Sequence, residues 1–221
     1  MGNYDLGLVL PFILDRLDDI LELTIEHTTV VLLSVFIASV LGVAAGLLVW
    51  NKPVGRSFAI ATAGVILTIP SMALLALMIP TFGLGWVPTV IALSLYSLLP
   101  IVRNTVVGLR EVPEAVMESA RGMGMTPLKV LLSVQLPIAW PVILTGLRVA
   151  TQLAIGIAAI AAYVAGPGLG AYIFKGLSML GAKNALNFAL TGTVMIVLIA
   201  LLFDALFILI KRATTSRGIR V

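Results

Sequence analysis

Three charged residues stand inside long apolar stretches of the sequence, where charge is otherwise absent: Arg103, Arg148 and Asp204. An unpaired charge in apolar surroundings is costly, so residues of this kind are either paired with one another or functional. We expect Asp204 to pair with one of the two arginines. A neutralised pair that packs two helices together is favoured over a contact with a substrate.

Four polar or aromatic residues in similar stretches are candidates for lining a pathway, namely Tyr96, Asn104, Gln152 and Tyr163. Aromatic faces attract quaternary ammonium groups, although each of the four also suits an ordinary helix contact. Glu26 and His27 could form a proton relay, but an interfacial anchor just outside an apolar stretch is favoured. The chain has no cysteine and a single histidine, so the sequence predicts no metal site and no disulfide.

The composition indicates which solvent surrounds these residues. Hydrophobic residues make up 60% of the 221 residues and charged residues only 11%, against about 25% charged in soluble domains. The mean hydropathy is +1.15. The net charge of +4 is explained by basic residues that flank membrane spans, and nucleic-acid binding is not expected. The sequence therefore predicts an all-α integral membrane protein.

A membrane helix needs about 20 mainly apolar residues. Turn formers and charges divide the chain into five such spans, at about 28–50, 57–79, 88–108, 138–164 and 187–210. Residues 1–23 are predicted as an extracytoplasmic segment in which 6–22 form an amphipathic surface helix. Residues 24–212 form the transmembrane domain, and 213–221 a cytoplasmic tail. The stretch 171–185 is either a re-entrant or interfacial helix or a sixth span. No secretory signal peptide is expected.

Five spans place the two termini on opposite sides of the membrane. With the amino terminus outside, only Arg16, Lys175 and Lys183 are basic on the outer side. The inner side then carries nine basic residues, namely Lys52, Arg56, Arg110, Arg121, Lys129, Lys211, Arg212, Arg217 and Arg220. Because basic residues accumulate on the cytoplasmic side, this orientation is predicted, with the carboxyl terminus and the 109–137 loop in the cytoplasm.

The 109–137 loop is too long for a simple connector, since helix connections usually span about 2–8 residues. Pro113 and Glu114 suit the first turn of a short helix, which Gly122 and Gly124 end. Thr126 can cap a second helix that has Pro127 in its first position.

We expect Pro137 to stop the second helix, and an apolar stripe to run along it through Leu128, Leu131 and Leu132. A capped pair of helices that projects from a membrane domain suggests a docking element for a cytoplasmic partner.

The spacing within this loop resembles the EAA motif of ABC importer permeases. Glu118-Ser119-Ala120 is followed by Gly124 and then by Val134-Gln135-Leu136-Pro137, with Ser119 and Val134 as mild departures. The resemblance implies the five-span type I permease fold and a coupling helix that sits in a groove of an ATP-hydrolysing subunit. It assigns to this coupling loop Glu114, Glu118, Ser119, Ala120, Arg121, Gly124, Thr126, Pro127, Leu136 and Pro137.

Two flanking segments narrow the resemblance. Residues 23–28 (LTIEHT) and 166–177 (GPGLGAYIFKGL) look like the permeases for glycine betaine, carnitine and choline, although Pro167 departs from the usual Gly-Gly-Leu-Gly turn. The implied function is the permease subunit of a binding-protein-dependent importer of osmoprotectants in the bacterial cytoplasmic membrane. The implied partners are a pair of ATP-binding subunits, a second permease chain, an extracytoplasmic binding protein and lipid.

The chain holds no Gly-x-x-x-x-Gly-Lys-Ser/Thr sequence, so ATP and magnesium are expected on the partner subunit and no cofactor in this chain. A methionine-type permease shares the five-span plan and remains an alternative. An ion-coupled secondary transporter or a channel is an alternative class, but neither needs a capped cytoplasmic helix pair.

Overall fold

The computed structural model describes residues 9–215 and contains only helices in that range. The helices are α1 (Val9–Leu14), α2 (Leu17–Val49), α3 (Pro53–Thr68), α4 (Ser71–Phe82), α5 (Trp86–Arg110), α6 (Glu114–Gly122), α7 (Pro127–Val130), α8 (Leu136–Ala161), α9 (Gly170–Ser178) and α10 (Ala185–Thr214). A π-helical turn, Leu131–Gln135, joins α7 to α8, and a 3-10 turn, Ala162–Val164, follows α8. The start of the predicted surface helix and most of the predicted tail lie outside the described residues.

Four helical segments of this range are long and apolar enough to cross a membrane: α2, α5, the segment Pro127–Val164, and α10. A fifth crossing exists if α3 and α4 together count as one span, although they are bent by 93°. The predicted span at 57–79 therefore corresponds to this bent pair of helices. Pro70 lies at the bend, and the residue before a proline is disfavoured in helical conformation, as the extended Ile69 shows with ψ 129°.

The second loop helix does not stop at Pro137, contrary to the prediction. The helical path runs from Pro127 to Val164 over 38 residues, or about 57 Å. Pro137 lies in the first turn of α8, directly after the π turn, where its missing N–H is tolerated. Because the hydrocarbon core of a bilayer is about 30 Å thick, this helix extends well beyond it.

Two further boundaries differ from those predicted. Helix α2 starts at Leu17 and has 33 residues, so 17–22 form the first turns of the span helix and are not a separate surface helix. Of the described part of the predicted surface helix, only α1 is separate from α2. Helix α9 has nine residues, about 13 Å, which is too short to cross a membrane. A sixth span at 171–185 is thereby excluded.

Helix α5 lies at the centre of the bundle and packs against α2, α3, α4 and α8. Glycines allow the closest of these approaches. A Cβ atom on Gly46 of α2 would lie 2.6 Å from Thr105 Cγ2, and a Cβ atom on Gly146 of α8 would lie 2.7 Å from the carbonyl oxygen of Pro100. Small residues thus permit helix contacts that any larger side chain would hold apart.

Hydrogen bonds at the two ends of the bundle show how the helices alternate in direction. At one end Gln135 Nε2 donates to the carbonyl of Leu109 over 2.8 Å, and Trp140 Nε1 donates to Thr214 Oγ1 over 2.9 Å. At the other end the Gly85 N–H donates to the carbonyl of Val164 over 3.2 Å. Consequently α1 and the end of α10 lie at opposite ends of the bundle. The cytoplasmic side remains a prediction from the basic residues.

Helices α8 and α10 are joined by an ion pair and an amide. Arg148 donates from Nε and Nη2 to the two carboxylate oxygens of Asp204, over 2.6 and 2.7 Å. One turn further along α8, Gln152 Nε2 donates to the carbonyl of Ala200 over 3.1 Å. The expected pairing of Asp204 with an arginine is therefore present, and it has the bidentate geometry of a strong contact.

The close approach at Gly146 predicts that Gly146→Ala lowers the free energy of unfolding by about 1–3 kcal/mol, because the added methyl group meets backbone that cannot move aside. Gly156→Ala, in the same helix, is the matched control, since a Cβ atom there meets nothing within 4 Å. Thermal unfolding of the two purified variants in one detergent measures the difference. Equal stabilities would contradict the packing described at α5.

The ion pair predicts that Arg148→Leu destabilises the protein by about 2.5–3.5 kcal/mol, because Asp204 is left as an unpaired charge in an apolar setting. The double variant Arg148→Leu/Asp204→Leu should recover most of that loss. Thermal unfolding and the amount of protein in the membrane give the readout. A double variant no more stable than Arg148→Leu would show that the pairing contributes little.

Candidate coupling site and intramembrane residues

Helix α6 begins the loop hairpin, the helical pair at residues 114–135. Pro113 is extended and stands directly before the first helical residue, Glu114. Glu114 lies at the positive end of the helix dipole and Arg121 at the negative end, which favours both charges. The two side chains also form an exposed ion pair at 3.0 Å. The sequence thus defines both ends of α6 locally.

Gly124 forms the turn between the two short helices. Its φ is +80°, and Met125 N–H donates to the carbonyl of Ala120 over 3.3 Å while Gly124 N–H donates to that of Arg121 over 2.9 Å. This pair of bonds is a Schellman motif, which requires a residue in the left-handed region. A Cβ atom at Gly124 would meet nothing within 4 Å, so the requirement for glycine here is conformational and not steric.

Thr126 starts the second helix as predicted. It is extended, its Oγ1 accepts the backbone N–H of Lys129 at 3.4 Å, and Pro127 follows in the first turn. Within α6, the Ser119 hydroxyl donates to the carbonyl of Ala115 over 2.8 Å, so its hydrogen bond lies within the helix.

The inner faces of the two hairpin helices pack against each other and against the residues that flank the hairpin. The buried apolar residues of this cluster are Val112, Met117, Ala120 and Val130, and the partly buried Met125, Val134 and Ile138 pack against them. Gln135 is only 2% exposed and anchors the hairpin to the end of α5 through the carbonyl of Leu109. Sequence reasoning did not select Gln135; the signal available was a lone amide within the apolar run Val134–Pro137.

The outer face of the loop hairpin exposes apolar side chains. Leu128 and Leu132 of the predicted stripe are 64% and 52% exposed, and Met123 is 71% exposed. Leu131 instead packs inward beside Leu136 and Ile143. Exposed apolar residues on such an element are typical of a docking surface, and a docking role for this hairpin stays a prediction. Glu118 is also exposed on this hairpin, and Pro137 is exposed in the first turn of α8.

The candidate pathway residues are not brought together. Tyr96 donates to the carbonyl of Ile69 over 2.7 Å, at the break between α3 and α4, and Asn104 donates to that of Pro100 over 2.8 Å. Tyr163 is 67% exposed and stacks on Phe174, with ring centroids 5.7 Å apart. Arg103 is exposed, and no ion pair of Arg103 is found within residues 9–215. A pathway role for these residues stays a prediction.

Glu26 and His27 contact the loop between α8 and α9. Glu26 accepts the N–H of Gly168 at 3.1 Å, and His27 is completely buried. Gly168 has φ +105°, and a Cβ atom on it would lie 2.7 Å from the Cβ atom of His27. Glu26 and His27 thus join the start of the first span to the loop after α8, and their placement at the membrane interface stays a prediction. The burial of His27 depends on a long-range contact that no local pattern signals.

Aromatic and cationic side chains of α1, α9 and the start of α10 pack together at the same end of the bundle. Phe188 stacks edge-on against Phe12 and Tyr172, and Lys175 Nζ lies 4.4 Å from the centre of its ring. Burial raises the pKa of the Tyr172 hydroxyl above its usual value, and the charge of Asp19 raises it further. Helices α1, α9 and α10 are thus joined at the end of the bundle opposite the loop hairpin.

The sequence is similar to those of known membrane permeases. The chain is 35% identical over 212 residues to the choline transport system permease protein OpuBB of Bacillus subtilis, covering 96% of each chain. It is 38% identical over 214 residues to the osmoprotectant import permease protein OsmW of Salmonella typhimurium, covering 95% of this chain and 98% of the relative.

The structure also resembles the MetNI methionine ABC transporter in an inward-facing conformation. The TM-score is 0.78, with 24% identity, over 89% of this chain and 96% of that chain. This likeness shows the fold, that of a type I ABC importer permease. A family model described as "Binding-protein-dependent transport system inner membrane component" matches residues 34–216. The chain is thus a multi-pass inner-membrane protein that belongs to this family of binding-protein-dependent transport components.

Proposed function

We propose that the chain is the permease subunit of an ATP-driven importer for quaternary-amine osmoprotectants, the class that includes choline, glycine betaine and carnitine. The observation that carries the substrate class is the identity to permeases named for choline and for osmoprotectants, at 35% and 38% over nearly the full length of each chain. A further relative in Bacillus subtilis, named for glycine betaine, carnitine and choline, is 34% identical over 202 residues.

In this proposal the loop hairpin receives the motion of a separate ATP-binding subunit. Its inner face is fixed to α5 by Gln135 and by Leu131, which packs in the cluster around Leu109, while Leu128, Leu132 and Met123 remain exposed for a partner. The second half of the hairpin continues without interruption into α8. ATP binding would close a pair of these subunits, and the hairpin would act as the lever that changes access to the membrane pathway.

The pathway itself is proposed to lie between two permease chains, because a single five-span bundle packed around α5 has little room for a solute. An extracytoplasmic binding protein would deliver the solute to the end of the bundle that holds α1 and α9. The proposed sidedness comes from the basic residues at the hairpin end, among them Arg110, Arg121 and Lys129.

A methionine importer is the weaker alternative, since the likeness to the methionine transporter has 24% identity and supports the fold alone. An ion-coupled secondary transporter would need no docking hairpin with a fixed inner face and an exposed apolar outer face.

The turn at Gly124 predicts that Gly124→Val reduces uptake several-fold. A β-branched residue at φ +80° costs about 1–2 kcal/mol, which displaces the second helix of the hairpin from its partner. Gly122→Ala is the matched control, because Gly122 has open space around it and no positive φ. Uptake and the amount of ATP-binding subunit that copurifies should both fall for Gly124→Val only. Normal values of both would exclude the hairpin as the coupling element.

The substrate class is tested by competition. A strain that carries this system as its only osmoprotectant importer should take up labelled choline, and an excess of glycine betaine or carnitine should reduce that uptake while methionine does not. An ATP-binding subunit inactivated in its own ATP site should abolish uptake. Competition by methionine alone would support the alternative substrate, and uptake that persists with the inactive subunit would indicate a secondary transporter.

A further inference from the structure

Two aromatic side chains, Tyr163 and Phe174, form an aromatic pair at the end of the bundle opposite the loop hairpin. Tyr163 lies in the 3-10 turn after α8, and Phe174 lies in α9. Their ring centroids are 5.7 Å apart and the ring planes meet at 49°. Tyr163 is exposed and Phe174 is half-buried. The two rings therefore form an open wedge at the surface of the chain.

The backbone holds the aromatic pair in place. Helix α9 starts directly against the end of α8, because a Cβ atom on Gly170 would overlap the carbonyl oxygen of Ala159 and would lie 2.8 Å from the Cβ atom of Ala162. Phe174 follows Gly170 by four residues and lies on the same face of α9, which brings it beside Tyr163. The separation of the two rings is thus set by packed helix ends and not by a long loop.

Other aromatic rings at this end of the bundle already carry cations of the chain itself. The guanidinium carbon of Arg16 lies 4.5 Å from the ring centre of Phe12, and Lys175 Nζ lies 4.4 Å from that of Phe188. Within residues 9–215, no arginine or lysine lies over either ring of the aromatic pair. Lys175 is the neighbour of the pair in sequence, yet its charge is directed at Phe188. The faces of the aromatic pair are therefore available to a cation from outside the chain.

The exposed face of α8 leads away from the aromatic pair and differs from a typical lipid-facing surface. Thr145, Val149, Gly156 and Tyr163 are exposed and follow one another at intervals of four and seven residues, so they lie on one side of the helix. Among the residues of α8, all of them described, only Val149 is an exposed large apolar side chain. By contrast α10 exposes a run of leucines, namely Leu198, Leu201, Leu202, Leu206 and Leu209. A face of small and polar residues suits a second chain or a polar solute better than acyl chains.

We propose that the aromatic pair binds the quaternary ammonium group of the imported solute where the solute enters the membrane domain. This inference rests on the proposed function, which supplies a quaternary amine, and on the predicted extracytoplasmic position of this end. A quaternary ammonium group has no N–H to donate, so aromatic faces are suitable partners for it, and one such group can lie within about 6 Å of both ring centres. The headgroup of phosphatidylcholine carries the same group, so the experiment separates dissolved solute from lipid.

The test measures choline uptake by the intact importer, with its ATP-binding subunits and a saturating amount of loaded binding protein. The vesicles contain phosphatidylethanolamine and phosphatidylglycerol, so dissolved choline is their only quaternary amine. Tyr163→Leu removes one aromatic face and should lower the uptake rate about two- to fivefold, the effect of one exposed cation–π contact. Tyr163→Phe is the conservative variant, which retains the aromatic face and should restore most of the uptake that Tyr163→Leu loses.

Fluorinated phenylalanines at position 163 separate solute binding from packing. Each added fluorine weakens the negative face of the ring and changes its size little, so choline uptake should fall stepwise from Tyr163→Phe to the trifluorinated ring. A packing role would not follow the number of fluorines. The number of permease chains in each purified complex is measured alongside the uptake rate.

Phe36→Leu is the matched control, because Phe36 is 67% exposed, as Tyr163 is, but lies in α2. Its uptake rate should equal that of the wild type. Phe174→Leu removes the second ring of the aromatic pair and should lower uptake as Tyr163→Leu does. Thermal unfolding shows whether each variant keeps its fold, and the fluorinated series keeps the test decisive if a leucine variant is unstable.

Four outcomes would overturn the inference. Uptake by Tyr163→Leu at the wild-type rate, or uptake that does not follow the number of fluorines, would remove the solute contact and leave the proposed function standing. A loss of uptake seen only in vesicles that contain phosphatidylcholine would assign the aromatic pair to a lipid headgroup. A loss that accompanies separation of the two permease chains would show a contact between copies. A wild type that imports no quaternary amine would overturn the proposed function and this inference together.

Discussion

The requirement that every backbone polar group find a partner in the absence of water governs this structure. Long helices satisfy it internally, so the informative places are those where the helical ladder is interrupted. At the break before Pro70, the carbonyl of Ile69 accepts the Tyr96 hydroxyl. At the loop after α8, the N–H of Gly168 reaches the carboxylate of Glu26. Each interruption is matched by a side chain from another helix, which joins distant parts of the chain.

These partners explain why the fold is centred on α5. Tyr96 joins α5 to the bent pair, the carbonyl of Leu109 joins its end to the loop hairpin, and Gly46 and Gly146 allow α2 and α8 to approach it closely. Because α5 contacts α2, α3, α4 and α8, it is a rigid support for a docking element. The loop hairpin projects from that support and is not an independent unit.

Local chemistry made much of this architecture predictable. The cap at Thr126, the left-handed turn at Gly124 and the pairing of Asp204 with an arginine each follow from one residue and its spacing. The size of the bend at Pro70, 93°, and the continuation through Pro137 did not follow, because the effect of a proline on a membrane helix depends on its neighbours. The burial of His27 likewise depends on Gly168, which is far from it in sequence.

The ion pair between α8 and α10 also bears on how the protein is made. Arg148 and Asp204 are 56 residues apart, so a growing chain presents the arginine to the membrane well before the carboxylate that neutralises it. Until α10 is synthesised, α8 carries a charge whose insertion costs about 2.5–3.5 kcal/mol at the helix centre. Helix α10, which is synthesised after α8, therefore completes the insertion of the earlier helix, and a chain truncated before Asp204 lacks the carboxylate that neutralises Arg148.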